Sequence, residues 1–114
     1  MQSPPQVTFH QLARSDALDA HIRERIDDLE QLFDRIVSCR VSVEGPHRHH
    51  QGGLYRVLID LGVPGHRIIV GRSPDENAAH ADAYVAVRDA FRAAQRQLED
   101  YVHRLRTPQI SRPR

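Results

Sequence analysis

The spacing of apolar and polar positions changes several times along the chain, and each change marks an element. Residues 6–10, Gln-Val-Thr-Phe-His, alternate with Val7 and Phe9 on one side, which predicts a short strand. Ser15 and Asp16 then offer side-chain oxygens to cap a first helical turn. Leu18, Ile22, Ile26, Leu29, Phe33 and Ile36 follow at intervals of three and four, so they form one stripe of a helix. Period two returns at 38–44, where Cys39, Val41 and Val43 face one way and Ser38, Arg40, Ser42 and Glu44 the other. Gly45-Pro46 ends that strand, and His47 to Gly53 reads as a polar loop. Residues 54–61 predict the next strand, with Tyr55, Val57, Ile59 and Leu61 on one face and Leu54, Arg56, Leu58 and Asp60 on the other. Val63-Pro64-Gly65-His66 predicts a tight turn, from which residues 66–72 pair back with Ile68 and Val70 inside.

Ser73-Pro74-Asp75-Glu76 carries a second helix-start signal, since Pro suits the first helical position. A second long helix then runs to about Leu105, its buried stripe being Tyr84, Val87, Phe91, Ala94, Leu98, Val102 and Leu105. Thr107-Pro108 stops it. The order is β-α-β-β-β-α. It predicts an α+β two-layer sandwich: a four-stranded sheet with two helices on one face. The other face, carrying Arg40, Ser42, Arg56 and Leu58, is left to solvent or a partner. The expected division is one domain over 1–106 and a flexible tail over 107–114.

Composition narrows the function classes. A chain of 114 residues suits one domain with a core of its own. The single cysteine, Cys39, excludes an internal disulfide and a Cys-based zinc site. No apolar run approaches the length of about 18 residues that spans a membrane. Met1-Gln2-Ser3-Pro4-Pro5 lacks the basic start and apolar stretch of a secretory signal. The expectation is a cytoplasmic protein. The net charge is only +1, but all sixteen basic residues are arginines, which are permanently charged and fork onto phosphates. They are unevenly placed: residues 1–60 hold seven against nine acids, residues 61–114 nine against six.

Several groups are candidates for chemistry. Arg88, Arg92 and Arg96 step by four, and at about 100° per residue His103 projects in nearly the same direction as Arg92. Glu99 sits inside that row, and Arg104 and Arg106 extend its basic end. The spacing fits a helix laid along a nucleic-acid backbone, each guanidinium on a phosphate. From spacing alone the plainer reading is a solvated face whose arginine stems cover apolar edges. His47, His49 and His50, with His66, form a histidine cluster, but no carboxylate or cysteine adjoins it to complete a metal site. A polar hairpin loop is the plainer reading. Cys39 stands at an inward position and reads as a small core residue, with no base to activate it. Asp27-Asp28 and Glu99-Asp100 read as solubilising helix-surface pairs. With Tyr84 and Phe91 read as core, no aromatic platform for stacking bases is expected. No nucleophile–base pair or cofactor motif emerges, so the expectation is a protein that is not an enzyme and takes no cofactor, metal or small-molecule substrate.

The segment from Ala17-Leu18 to Leu29-Glu30-Gln31-Leu32-Phe33-Asp34-Arg35-Ile36, followed by an alternating strand, resembles the first helix of the ribosome hibernation promoting factors, a family that includes the ribosome-associated inhibitor proteins. Asp82-Ala83-Tyr84-Val85-Ala86-Val87 is similar to the opening of that family's second helix. The element order matches over about nine tenths of the chain. The resemblance implies a fold like a double-stranded-RNA-binding domain. It implies binding to small-subunit ribosomal RNA in the channel used by messenger and transfer RNA, with translation blocked in stationary phase or stress. The positions matching the family's basic second helix are Arg88, Arg92, Arg96, His103, Arg104 and Arg106, although Asp89, Glu99 and Asp100 stand among them. The implied partner is the small ribosomal subunit and its RNA, with no membrane, and the chain is expected as a monomer or weak homodimer. The alternative is a protein-interaction module of the same fold that has lost ribosome binding.

Overall fold

The computed structural model describes residues 1–45, 55–71 and 82–106. Six elements occur in the predicted order: β1 (Gln6–His10), α1 (Asp16–Leu32), β2 (Ser38–Glu44), β3 (Arg56–Val63), β4 (His66–Val70) and α2 (Ala83–Arg106). The strands form one sheet in the order β1-β2-β3-β4. β1 runs parallel to β2, a pairing that needs the long crossover which α1 supplies. β2 pairs antiparallel with β3, and β3 with β4. The fold class is therefore as predicted.

The core lies between the sheet and the helices. Cys39, Val41 and Val43 of β2, Val57, Ile59, Leu61 and Val63 of β3, and Ile68 and Val70 of β4 are all buried. Strand alternation sends all of them to the helix side. From α1 come Leu18, Ile22, Ile26 and Leu29. From α2 come Ala86, Val87, Phe91, Ala94, Leu98, Tyr101 and Val102. Among the described residues no polar or charged residue is buried, so this layer is held by apolar burial, at about 1.5–3 kcal/mol for each large side chain. α1 begins where the sequence places it: Ser15 is extended, and its hydroxyl accepts from the Leu18 amide at 3.2 Å.

The β3–β4 turn is built on Pro64-Gly65, with Gly65 at φ 73°, the positive angle that a turn with Pro at its second position asks of its third. A second glycine, Gly71 at φ 91°, ends β4 where any added Cβ would collide with the Val57 carbonyl.

Three readings need correction. The apolar stripe of the first helix outlasts the helix. Phe33 is the C-cap at φ −150°, and its amide still donates to the Leu29 carbonyl. Phe33 and Ile36 are buried from the turn that follows. The third strand starts and ends two residues later than expected, at Arg56 and Val63. Tyr84 and Leu105, both assigned to the buried stripe of α2, are 43% and 50% exposed, because the stripe runs off the core at either end of a 24-residue helix. Tyr101 and Ala86 are buried instead. The described start of α2 is capped by Asp82, whose carboxylate accepts from the Tyr84 amide at 2.8 Å. The start signal at Ser73–Glu76 lies outside the described residues, as do the His47–Gly53 loop and the 107–114 tail.

Candidate nucleic-acid interface

α2 is positioned by one face and leaves the opposite face open. Val87, Phe91, Ala94 and Leu98 follow the 3.6-residue period onto the core, next to β3 and β4. Tyr101 fixes the far end. Its hydroxyl donates to the Pro64 carbonyl at 2.6 Å, and its ring meets Phe33 edge-on at 5.5 Å and stacks on His66 at 6.0 Å. One side chain thus joins the second helix, the β3–β4 turn and the end of α1. The spacing of Tyr101 alone did not reveal this role, since the partners come from distant parts of the chain.

Arg88, Arg92, Arg96 and His103 are all exposed and fall within one sector of the helix, turned away from the buried stripe. Arg106 shares their direction. Arg104 is also exposed but lies about 120° around the helix from Arg92, so it belongs to a different face. The row is partly tempered by acids. Arg88 meets the Asp89 carboxylate at 3.3 Å. Glu99 accepts a hydrogen bond from the Gln95 amide at 3.1 Å and engages none of the arginines among the described residues. Arg92, Arg96, Arg104 and Arg106 form no ion pair within the described residues. Unpaired guanidiniums on a rigid helix are suited to phosphate oxygens, to which they donate in a planar fork.

The remaining charges are mostly engaged internally. On α1, Arg23 bonds Asp19 at 3.1 Å and Arg25 meets Asp28 at 3.1 Å. On the open sheet face, Arg67 pairs with Asp60 at 2.9 Å and Arg56 with Glu44 at 3.6 Å. Leu58 and Ile69 are exposed there. No group of three or more potential metal ligands exists among the described residues. His66 is accounted for by its stacking on Tyr101. His47, His49 and His50 lie outside the described residues. Burial pushes the Cys39 thiol up to about 12, with Asp60 and Glu30 adding to the rise. Such a thiol stays protonated and is a packing residue rather than a nucleophile. No helix among the described residues is long and apolar enough to cross a membrane.

The family model described as Sigma 54 modulation protein / S30EA ribosomal protein matches residues 6–106. The chain belongs to this family. The matched span is the one over which the sequence resembles the hibernation factors, and it takes in all six elements. Among solved structures, the N-terminal domain of Thermus thermophilus Protein Y superposes with a TM-score of 0.65 at 18% identity, covering 84% of this chain and 94% of that one. A ribosomal subunit interface protein from Coxiella burnetii superposes with a TM-score of 0.68 at 16% identity, covering 88% and 98%. At these identities the likeness establishes the fold. No curated protein matches the chain by sequence.

Proposed function

We propose that this protein is a ribosome-associated translation inhibitor that binds small-subunit ribosomal RNA in the channel used by messenger and transfer RNA. The observation that carries the reading is the open face of α2, where Arg92 and Arg96 stand exposed and, among the described residues, without an ion pair on a helix anchored from behind. Membership of a family described by a ribosomal protein supports it, as does likeness in fold to a ribosomal subunit interface protein. The mechanism is occupation of space, not catalysis. Phosphate contacts fix the orientation of the domain on RNA, and shape rather than base sequence is read. While the domain sits in the channel, messenger and transfer RNA are sterically excluded. The acting unit is residues 1–106, and the RNA-facing residues are Arg88, Arg92, Arg96, His103 and Arg106. Arg104 contacts RNA only if the strand wraps round the end of the helix.

Co-sedimentation with purified small subunits tests the reading. The wild-type protein is expected to travel with the subunit and to slow translation in a purified system. Arg92→Ala with Arg96→Ala is expected to keep the fold and weaken both properties. A double variant that still sediments with the subunit as wild type does would show that a different face binds.

A further inference from the structure

Among the described residues no strand pairs with the outer side of β4. The two-residue turn at Pro64-Gly65 makes Val63 and His66 a hydrogen-bonded pair, and such pairs recur at every second position. Ile68 and Val70 therefore turn their amides and carbonyls toward β3. Those of Arg67 and Ile69 point outward from the sheet. Natural sheet edges are commonly blocked by proline, a bulge or a free charge. β4 has no proline and keeps a regular register with β3. Its one permanent charge, Arg67, is held by Asp60 at 2.9 Å.

We propose that this edge pairs antiparallel with β4 of a second copy of the chain, forming a weak two-fold dimer centred on Ile68. Arg67 then lies opposite the partner's Ile69, and Ile69 opposite the partner's Arg67. Each of these pairs exchanges both of its outward hydrogen bonds. Ile68 meets the partner's Ile68 on the helix side, so the buried layer continues across the join. On the open side Ile69, 37% exposed, is covered by the aliphatic stem of the partner's Arg67. The alternatives are worse. A register centred on Arg67 sets two guanidiniums directly opposite each other. One centred on Ile69 draws in Gly71, whose φ of 91° takes it out of the extended range.

The helix layer permits the approach. α2 lies over β3 and β4, so joining the edges brings the two copies of α2 side by side. With strands about 4.8 Å apart, the helix axes fall about 10 Å apart, close to the ordinary packing distance of about 8–10 Å. Tyr84 marks the flank of α2 that faces α1, where its ring meets His21 at 5.2 Å. The opposite flank carries Ala90 and Ala93, which let a neighbouring helix come close. The arginine row points away from the sheet and stays open in the dimer. One five-residue strand is a small contact beside the roughly 1,200 Å² of a stable interface, so the association is concentration-dependent.

Sedimentation equilibrium and amide exchange of the whole chain test this. The average mass is expected to rise from that of one chain toward that of two between micromolar and millimolar concentration. Over the same range the Arg67 and Ile69 amides are expected to exchange more slowly, while those of β1 do not change. Ile69→Lys, at an exposed position, is expected to fold and to weaken association at least about fivefold, because the new cation faces the partner's Arg67. Adding Arg67→Glu to Ile69→Lys sets opposite charges across the join and is expected to restore association. Arg92→Ala with Arg96→Ala is expected to associate as wild type does, so this inference and the RNA reading fail separately. A chain that stays monomeric at millimolar concentration would overturn the assignment. So would protection at β1 or α1 instead of β4, association indifferent to Ile69→Lys, or no rescue by the double variant.

Discussion

At the scale of single residues, two glycines in positive-φ positions separate conformational cost from steric cost. At Gly65 a Cβ would meet nothing within 4 Å, so Gly65→Ala is expected to cost only the backbone strain, about 1–2 kcal/mol. At Gly71 a Cβ would collide with the Val57 carbonyl oxygen. Gly71→Ala must therefore also move backbone and is expected to cost more, about 3 kcal/mol or above. Urea unfolding of the two variants gives the comparison, and equal losses would contradict the assigned contact. Cys39 makes the second prediction. Its thiol is held up at about 12 against an ordinary 9.0. The folded state therefore keeps the proton over a range in which the unfolded chain releases it. Stability from this source is complete below pH 9 and falls as pH rises toward 12. The expected observation is a steeper loss of stability between pH 9 and 11 for the wild type than for Cys39→Ala. A thiol reagent at pH 8 is expected to label Cys39 only on unfolding.

At the scale of elements, α2 is one helix with a buried middle and exposed ends. Leu98 is fully buried and Leu105 half exposed, although both occupy core-facing positions of the same period. Leu98→Ala is expected to cost about 2–5 kcal/mol and Leu105→Ala well under half of that. Thermal or urea unfolding measures both, and equal costs would mean that the end of α2 packs as tightly as its centre. This pair also shows how far the sequence could be read. The order of all six elements, the inward sets of β2 and β4, and the Ser15 cap were legible, because they depend on local period and local hydrogen bonding. Tyr84 and Leu105 were misread because periodicity reports direction and not where the opposing layer ends. The early end of α1 was hidden because a turn can keep burying apolar residues at helix-like intervals, as Phe33 and Ile36 do. The arginine row itself was legible as a row. That Arg104 stands apart from it follows from the same helical period, whereas the Arg88–Asp89 pairing needed the coordinates.

At the scale of the whole molecule, the near-neutral net charge conceals an asymmetric distribution. α1 and the outer sheet face compensate much of their charge within themselves, through Arg23–Asp19, Arg25–Asp28, Arg56–Glu44 and Arg67–Asp60. The open face of α2 does not, apart from Arg88. Attraction to a polyanion is thus focused on one surface, and a small net charge is no obstacle to it. Because Arg88 must leave Asp89 to reach a phosphate, Arg88→Ala is expected to weaken binding less than Arg92→Ala or Arg96→Ala. The salt dependence of small-subunit binding tests the central claim most directly. Affinity measured across a range of salt concentrations should fall steeply for the wild type. Replacing Arg88, Arg92 and Arg96 together should lower the affinity and flatten the log–log slope by about 2. A triple variant with wild-type affinity and an unchanged slope would contradict the assignment of α2 as the face that meets RNA.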